Sequence, residues 1–405
     1  MTDGPGRSHD DGQGQNPPLQ RTVWALAAVF FSNGLVYASY VPRLPEIRDQ
    51  SGVSLTVLGL ALTAGSLAGL VGSFFAGIVI PRFGSKRIVV VGGALYAVAL
   101  PGIGFSSSAT LLVSALVLLA VFDVFVDVAS NLQGSVVSAL RKKPVMSRLH
   151  GAWSLGTLAG AGTAVLASSL AVPVGAHYVG VAVVVVAVLA TSARFLRVTD
   201  EAHPRQLSDT RAAGEGPSWV WLGRAALLLG LANGLLVASD TAMGEWISLR
   251  LSDDLSASAG VAASAFLFYT AGLTLGRLGG DWLNVALGTL TTARLGVVIA
   301  LIGLTVACFT TSAAAAMVGT GVTGLGISVL APQLADAAAR APGRPGAGFS
   351  VLFAGHRIAG LVTPALVGLM AGAGGLSVGQ AIALLAVPCS VLLLVLLRPT
   401  LRNER

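Results

Sequence analysis

Asn33-Gly34-Leu35-Val36-Tyr37-Ala38-Ser39 returns later in the chain as Asn233-Gly234-Leu235-Leu236-Val237-Ala238-Ser239. Five of seven positions are identical at a constant offset of 200, and each copy lies in the first long apolar run of its half of the 405 residues. Apolar helices share residues by chance, but matched placement in both halves reads better as duplication. The chain then consists of two repeats running in the same direction.

Working outward, runs long enough for a ~30 Å hydrocarbon core, which takes about 20 apolar residues, recur along the whole chain. Their limits are 22–42, 54–79, 88–105, 110–137, 149–171, 175–196, 219–248, 258–283, 293–309, 312–336, 347–372 and 376–398. The composition agrees. Only 11% of residues are charged, 54% are hydrophobic and mean hydropathy is +0.80, whereas a soluble domain carries about 25% charge. Collagen, coiled coil, disordered chain and disulfide-rich module are excluded by the same figures. Cys308 and Cys389 both sit in apolar runs and offer neither a disulfide framework nor metal-ligand spacing. The fold class expected is an all-α polytopic membrane protein of twelve transmembrane helices in two six-helix repeats.

The polar N-terminal segment, 1–21, lacks an apolar core and is expected to be disordered and cytoplasmic. A six-helix bundle at 22–196, a cytoplasmic linker at 197–218, a second bundle at 219–398 and a tail at 399–405 complete the division. With the N-terminus inside, the outer connections carry only Arg43, Arg48 and Arg250. The inner connections and adjoining helix ends carry 21 basic residues, from Arg7 to Arg405 and including Arg277, while Arg357 stays within span 11. That split places both termini in the cytoplasm. It also assigns the net charge of +7 to one membrane face, with no nucleic-acid partner implied. Arginine far outnumbers lysine amid abundant Ala, Gly and Val, which fits a high-GC bacterial genome and hence a bacterial plasma (inner) membrane.

Two parallel repeats joined by a cytoplasmic linker describe an alternating-access transporter with its site between the halves. The connection after span 2, Gly77-Ile78-Val79-Ile80-Pro81-Arg82-Phe83-Gly84-Ser85-Lys86-Arg87, resembles the loop signature of the major facilitator superfamily. Gly77, Arg82, Gly84 and Arg87 match that signature, and Pro81 stands where it has an acid. Gly280, Asp281 and Gly288 hold the corresponding turn in the second half, with Ala286 in place of arginine. The resemblance spans 22–398 and implies that this loop gates between inward- and outward-facing states. Asn131, Gln133 and His150-Gly151 further resemble the fucose-permease-like and rhizopine-linked bacterial branch.

Charged groups within the spans are the informative exceptions, because each costs about 2.5–3.5 kcal/mol at a bilayer centre unless it faces protein or water. Asp123 and Asp127, spaced i, i+4, share one face of span 4 with Asn131 a turn further on. Two carboxylates so close in a poorly hydrated cavity disfavour double ionisation, the property a proton-coupling pair needs. A purely structural pair is the competing role. Asp240 and Glu245 lie in span 7; Asp240 shares a face with Asn233 much as Tyr40 shares one with Asn33 and Tyr37. These positions are expected to line the cavity, with helix-to-helix hydrogen bonding as the alternative for the two asparagines. Arg357 is expected to meet Asp123, Asp127, Asp240 or an anionic group of the substrate. His150 titrates in the range of a proton relay. His356 is expected to be a helix-packing or interface group, and Trp153, Gln133 and Gln333 are weaker candidates for contact with a polar ligand.

Gly319-Thr320-Gly321-Val322-Thr323-Gly324 spells a dinucleotide pattern but lies inside an apolar span with no strand before it, so close helix packing explains it better. No phosphate-binding loop is present, and no catalytic residue, metal or cofactor is expected. The function expected is secondary transport of a small organic solute, proton-coupled through Asp123 and Asp127, with no enzymatic activity and no obligate protein partner. A polar, sugar- or polyol-like solute competes with export of a metabolite or antibiotic. Gly160-Ala161 lacks the proline of the span-5 signature in the family's drug antiporters. A non-transporting receptor or scaffold is the alternative from another class.

Overall fold

The computed structural model describes residues 17–196, 224–340 and 347–401. Among them are twelve long helices and no strand. The first half holds α1 (Pro17–Tyr40), α2 (Leu55–Phe83), α3 (Ser85–Gly104), α4 (Ala109–Arg141), α5 (Met146–Ser169) and α6 (Val174–Ala193). The second holds α7 (Arg224–Leu249), α8 (Ala259–Leu287), α9 (Thr289–Phe309), α10 (Ala313–Ala339), α11 (Ala347–Gly372) and α12 (Val378–Leu401). Eleven are long and apolar enough to cross a bilayer. The remaining one, α5, has 24 residues, about 36 Å at 1.5 Å per residue. Its apolar character is diluted by Arg148, His150, Ser154, Thr157 and Thr163.

Several boundaries differ from the expected ones. α1 begins at Pro17, within the segment expected to be disordered, because proline suits a first helical turn that needs no N–H donor. α12 runs on to Leu401, into the expected tail. A short helix, Leu44–Ser51, occupies what reads as a connection between α1 and α2. α10 is interrupted between Ile327 and Leu330. The stretch 1–16, the linker 197–218 and the last residues 402–405 lie outside the described residues.

The duplication is visible in the backbone. Gly84, after α2, and Gly288, after α8, share φ, ψ near 81°, 140° and 79°, 151°, a region that side chains disfavour. Each donates back to its helix, Gly84 to the Ile80 carbonyl at 2.9 Å and Gly288 to the Asn284 carbonyl at 3.0 Å. Helix pairing repeats as well. α1 crosses α5 so closely that a Cβ on Gly156 would lie 2.1 Å from the Phe31 carbonyl, and α7 crosses α11 with Gly355 pressed on Gly230. Small residues allow this approach where lipid supplies no hydrophobic drive.

The halves meet at one end. α2 and α11 run antiparallel there, with Thr56 donating to the Gly368 carbonyl at 3.2 Å and Thr63 to the Leu361 carbonyl at 3.1 Å. Arg48 forms an ion pair with Asp253 across the same end. This is the face opposite Pro17 and Leu401, and the three arginines assigned to it are all engaged. Arg43, 1% exposed, pairs with Glu46 and donates to the Val172 carbonyl at 2.7 Å. Arg250 pairs with Asp254 at 3.2 Å and donates to the Thr310 carbonyl at 2.8 Å. Toward the termini face, Asp127, His150 and Arg357 are exposed on helices of both halves, with His150 and Arg357 within electrostatic reach of Asp127.

Candidate functional site

In α4 the i, i+4 spacing puts Asp123 and Asp127 one turn apart, within electrostatic reach of each other. Asn33 of α1 donates to Asp123 Oδ1 at 2.6 Å. Its carbonyl accepts the Trp153 indole N–H of α5 at 2.9 Å. The Tyr96 hydroxyl of α3 faces the same Asp123 carboxyl. Asp127 receives Asn131 Nδ2 at 2.8 Å, and His150 and Arg357 lie within electrostatic reach of it. His150 also packs edge-on against Phe30, with ring centroids 5.4 Å apart. Arg357 makes no ion pair with any described residue. Of its three expected carboxylate partners, Asp127 is the one its charge reaches.

In the second half Asp240 accepts the Tyr269 hydroxyl of α8. His356 of α11 and Arg277 of α8 both act on Asp240. His356 is exposed on α11, within electrostatic reach of Asp240. Arg277 is also not a helix-end residue, since α8 continues to Leu287. Neighbouring residues of α11 thus address the two halves separately, Arg357 toward α4 and His356 toward α7. Asn233 departs from the symmetric expectation. It is 5% exposed and donates to the Leu352 carbonyl at 2.9 Å, tying α7 to α11 instead of lining the cleft.

Tyr37 stands where these groups converge, with Glu245, Asp240 and Asp123 all acting on it. Its ring stacks on Trp153 at 6.4 Å and 26°, and meets Tyr40 and Phe266 edge-on at 5.8 and 6.4 Å. Glu245, from the other half, lies within electrostatic reach of Tyr37 and Tyr40. The chain has only five tyrosines, and four of them, Tyr37, Tyr40, Tyr96 and Tyr269, gather around these carboxylates. Tyr96, Tyr269 and Phe266 escape a search for charge. The scarcity of tyrosine is the signal that points to the first two.

Gln133 and Gln333 do not reach the cleft. Gln133 is fully buried and donates to Ser85 Oγ at 3.2 Å, and Gln333 donates to Asn284 Oδ1 at 2.6 Å. Separated by the same offset of 200, they brace the α2–α3 and α8–α9 turns. The expected loop is helical up to its Gly84, since α2 runs through Gly77, Pro81 and Arg82 to Phe83. Arg87 is exposed, and the Arg82 guanidinium lies 5.8 Å over the Phe83 ring. Neither arginine forms an ion pair with a described residue. Pro81, in the place of the acid, lies inside the last turn of α2 and offers none.

The sequence model of the Major Facilitator Superfamily matches residues 26–239, just over half of the chain. The chain belongs to the Major Facilitator Superfamily. Membership makes it a multi-pass secondary transporter rather than an enzyme. An uncharacterized MFS-type transporter of Yersinia pestis is 25% identical over 362 residues, 89% of each chain. Membrane protein MosC of Rhizobium meliloti is 27% identical over 325 residues, 80% of this chain and 77% of that one. Among solved structures, the nucleoside transporter NupG has a TM-score of 0.70 at 11% identity, over 94% of this chain and 98% of its own. A bacterial homolog of the human lysosomal transporter Spinster, inward-facing and unoccupied, has 0.67 at 14%, over 96% of each. At these identities the structures establish the superfamily fold alone.

Proposed function

We propose that the protein moves a small polar organic solute across a bacterial inner membrane by alternating access, driven by protons. Both termini face the cytoplasm, and residues 22–196 and 219–398 are the two rocking bundles. The observation that carries this reading is the contact between the halves at Tyr37 of α1, whose ring meets Phe266 of α8 at 6.4 Å, with Asp123, Asp240 and Glu245 within electrostatic reach of it. A site assembled from both halves is dismantled when they rock apart, which is how alternating access releases a solute. Asp123 and Asp127 exchange the proton. Asn33, by bridging Asp123 and Trp153, couples the state of the acid to the aromatic wall of the site. Arg357, His150, Asn131 and Asp240 complete the network, and the turn at Gly84 moves with the gate.

The experiment is a thermal-shift screen of purified protein against sugars, polyols, amino acids and cationic drugs, followed by counterflow in proteoliposomes with and without a proton gradient. A stabilising polar solute that exchanges without a gradient and accumulates with one is the expected result. Stabilisation without exchange would point to a receptor instead.

A further inference from the structure

Glu245 is the carboxylate of the site that its own protein leaves bare. Asp123 receives Asn33, Asp127 receives Asn131 and Asp240 receives Tyr269. No described residue donates to Glu245 or pairs with it, and its Oε2 is buried without a hydrogen-bond partner. The charged group acting on it is Asp240, of like sign. The two arginines of the cleft serve other carboxylates, Arg357 reaching Asp127 and Arg277 reaching Asp240. Tyr37 and Tyr40 of the other half lie within electrostatic reach of Glu245, with Trp153 and Phe266 on the flanks of Tyr37.

A buried carboxylate oxygen that lacks a donor costs free energy until a ligand supplies one. Aromatic faces beside it attract positive charge through their quadrupoles. A neutral hydroxyl satisfies the first requirement and gains little from the second, while an anion is repelled by both. A protonated amine satisfies both at once, its N–H groups reaching the oxygen and its charge resting against the rings. We propose that the transported solute carries a protonated amine, seated against Tyr37 and Tyr40 with Glu245 as its counter-ion. The proposal rests on the transport reading and names the chemical class of the group that its site takes.

The test uses matched pairs that differ in amine against hydroxyl: glucosamine and glucose, ethanolamine and ethylene glycol, tyramine and its alcohol analogue. Binding is read by thermal stabilisation of the full-length protein in detergent and by tryptophan fluorescence. At least one amine is expected to bind the wild type more tightly than its hydroxyl twin. Glu245→Gln is expected to weaken that amine about tenfold or more, the worth of a charge-assisted hydrogen bond, and Glu245→Asp, which keeps the charge, to weaken it less. Equal affinity within every pair, or an unchanged amine affinity in Glu245→Gln, overturns the proposal. Counterflow scores the underlying reading separately. Exchange of a neutral solute indifferent to Glu245→Gln removes the amine seat and leaves transport standing. An amine held by Glu245 but never exchanged removes transport and leaves the seat.

Discussion

Asn33 on α1 donates to Asp123 on α4 at 2.6 Å, while its carbonyl holds the Trp153 indole of α5 at 2.9 Å. One short amide thus fixes three helices of the first half around a carboxylate. Asn33→Ala strips the donor from Asp123 and the acceptor from Trp153. We expect a loss of about 1–3 kcal/mol in stability for the orphaned groups and a fall in counterflow of tenfold or more. Thermal unfolding and tryptophan fluorescence check the first expectation, and exchange in proteoliposomes the second.

Arg357 makes the opposite case. It is exposed in the cleft without an ion pair to any described residue, so its removal strands no buried partner. Arg357→Gln is expected to leave stability within about 0.5 kcal/mol while reducing exchange at least tenfold. A variant that unfolds early instead would mark Arg357 as a structural residue.

The Arg48–Asp253 pair joins the two halves at their closed end, with its side chains 16% and 22% exposed. Pairs of this exposure contribute roughly 0.2–1 kcal/mol. Asp253→Asn should therefore raise the population open at that end by about 1.4- to fivefold. Distances between spin labels on the Leu44–Ser51 helix and on the first turn of α12 report that population. Arg48→Asp with Asp253→Arg should restore it.

Gly77, inside α2, and Gly84, at the turn that follows it, are predicted to differ sharply. Gly84 has φ +81°, and an alanine there should cost about 1–3 kcal/mol. Around Gly77 nothing lies within 4 Å of where a Cβ would be placed, so Gly77→Ala should be neutral to within about 1 kcal/mol. Melting temperatures of the two variants in one detergent decide the matter.

Hydropathy and charge made much of this architecture readable. The Asn33 and Asn233 copies revealed the duplication, which the matching turns at Gly84 and Gly288 display in the backbone. Asp123, Asp127, Asp240 and Glu245 stood out because a charge inside a span is costly wherever it lies. Hydropathy, however, measures transfer from water and is silent on lateral neighbours. It therefore could not separate Asn33, which joins a carboxylate to an indole, from Asn233, which binds the Leu352 carbonyl. Nor could it place Gln133 and Gln333 at the loops, or bring Tyr96 and Tyr269 to the acids. The helix Leu44–Ser51 was hidden because it is short and polar, with Glu46 and Arg48 turned into ion pairs at the membrane face.

Proton coupling through the α4 acids is the centre of this account, and Asp127→Asn in proteoliposomes tests it most directly. Asparagine keeps the size and hydrogen-bonding reach of aspartate but carries no titratable proton. With any solute that the wild type exchanges, the variant should retain counterflow and lose accumulation driven by a pH gradient. Accumulation at the wild-type level in Asp127→Asn would contradict the account and remove Asp127 from the coupling pair.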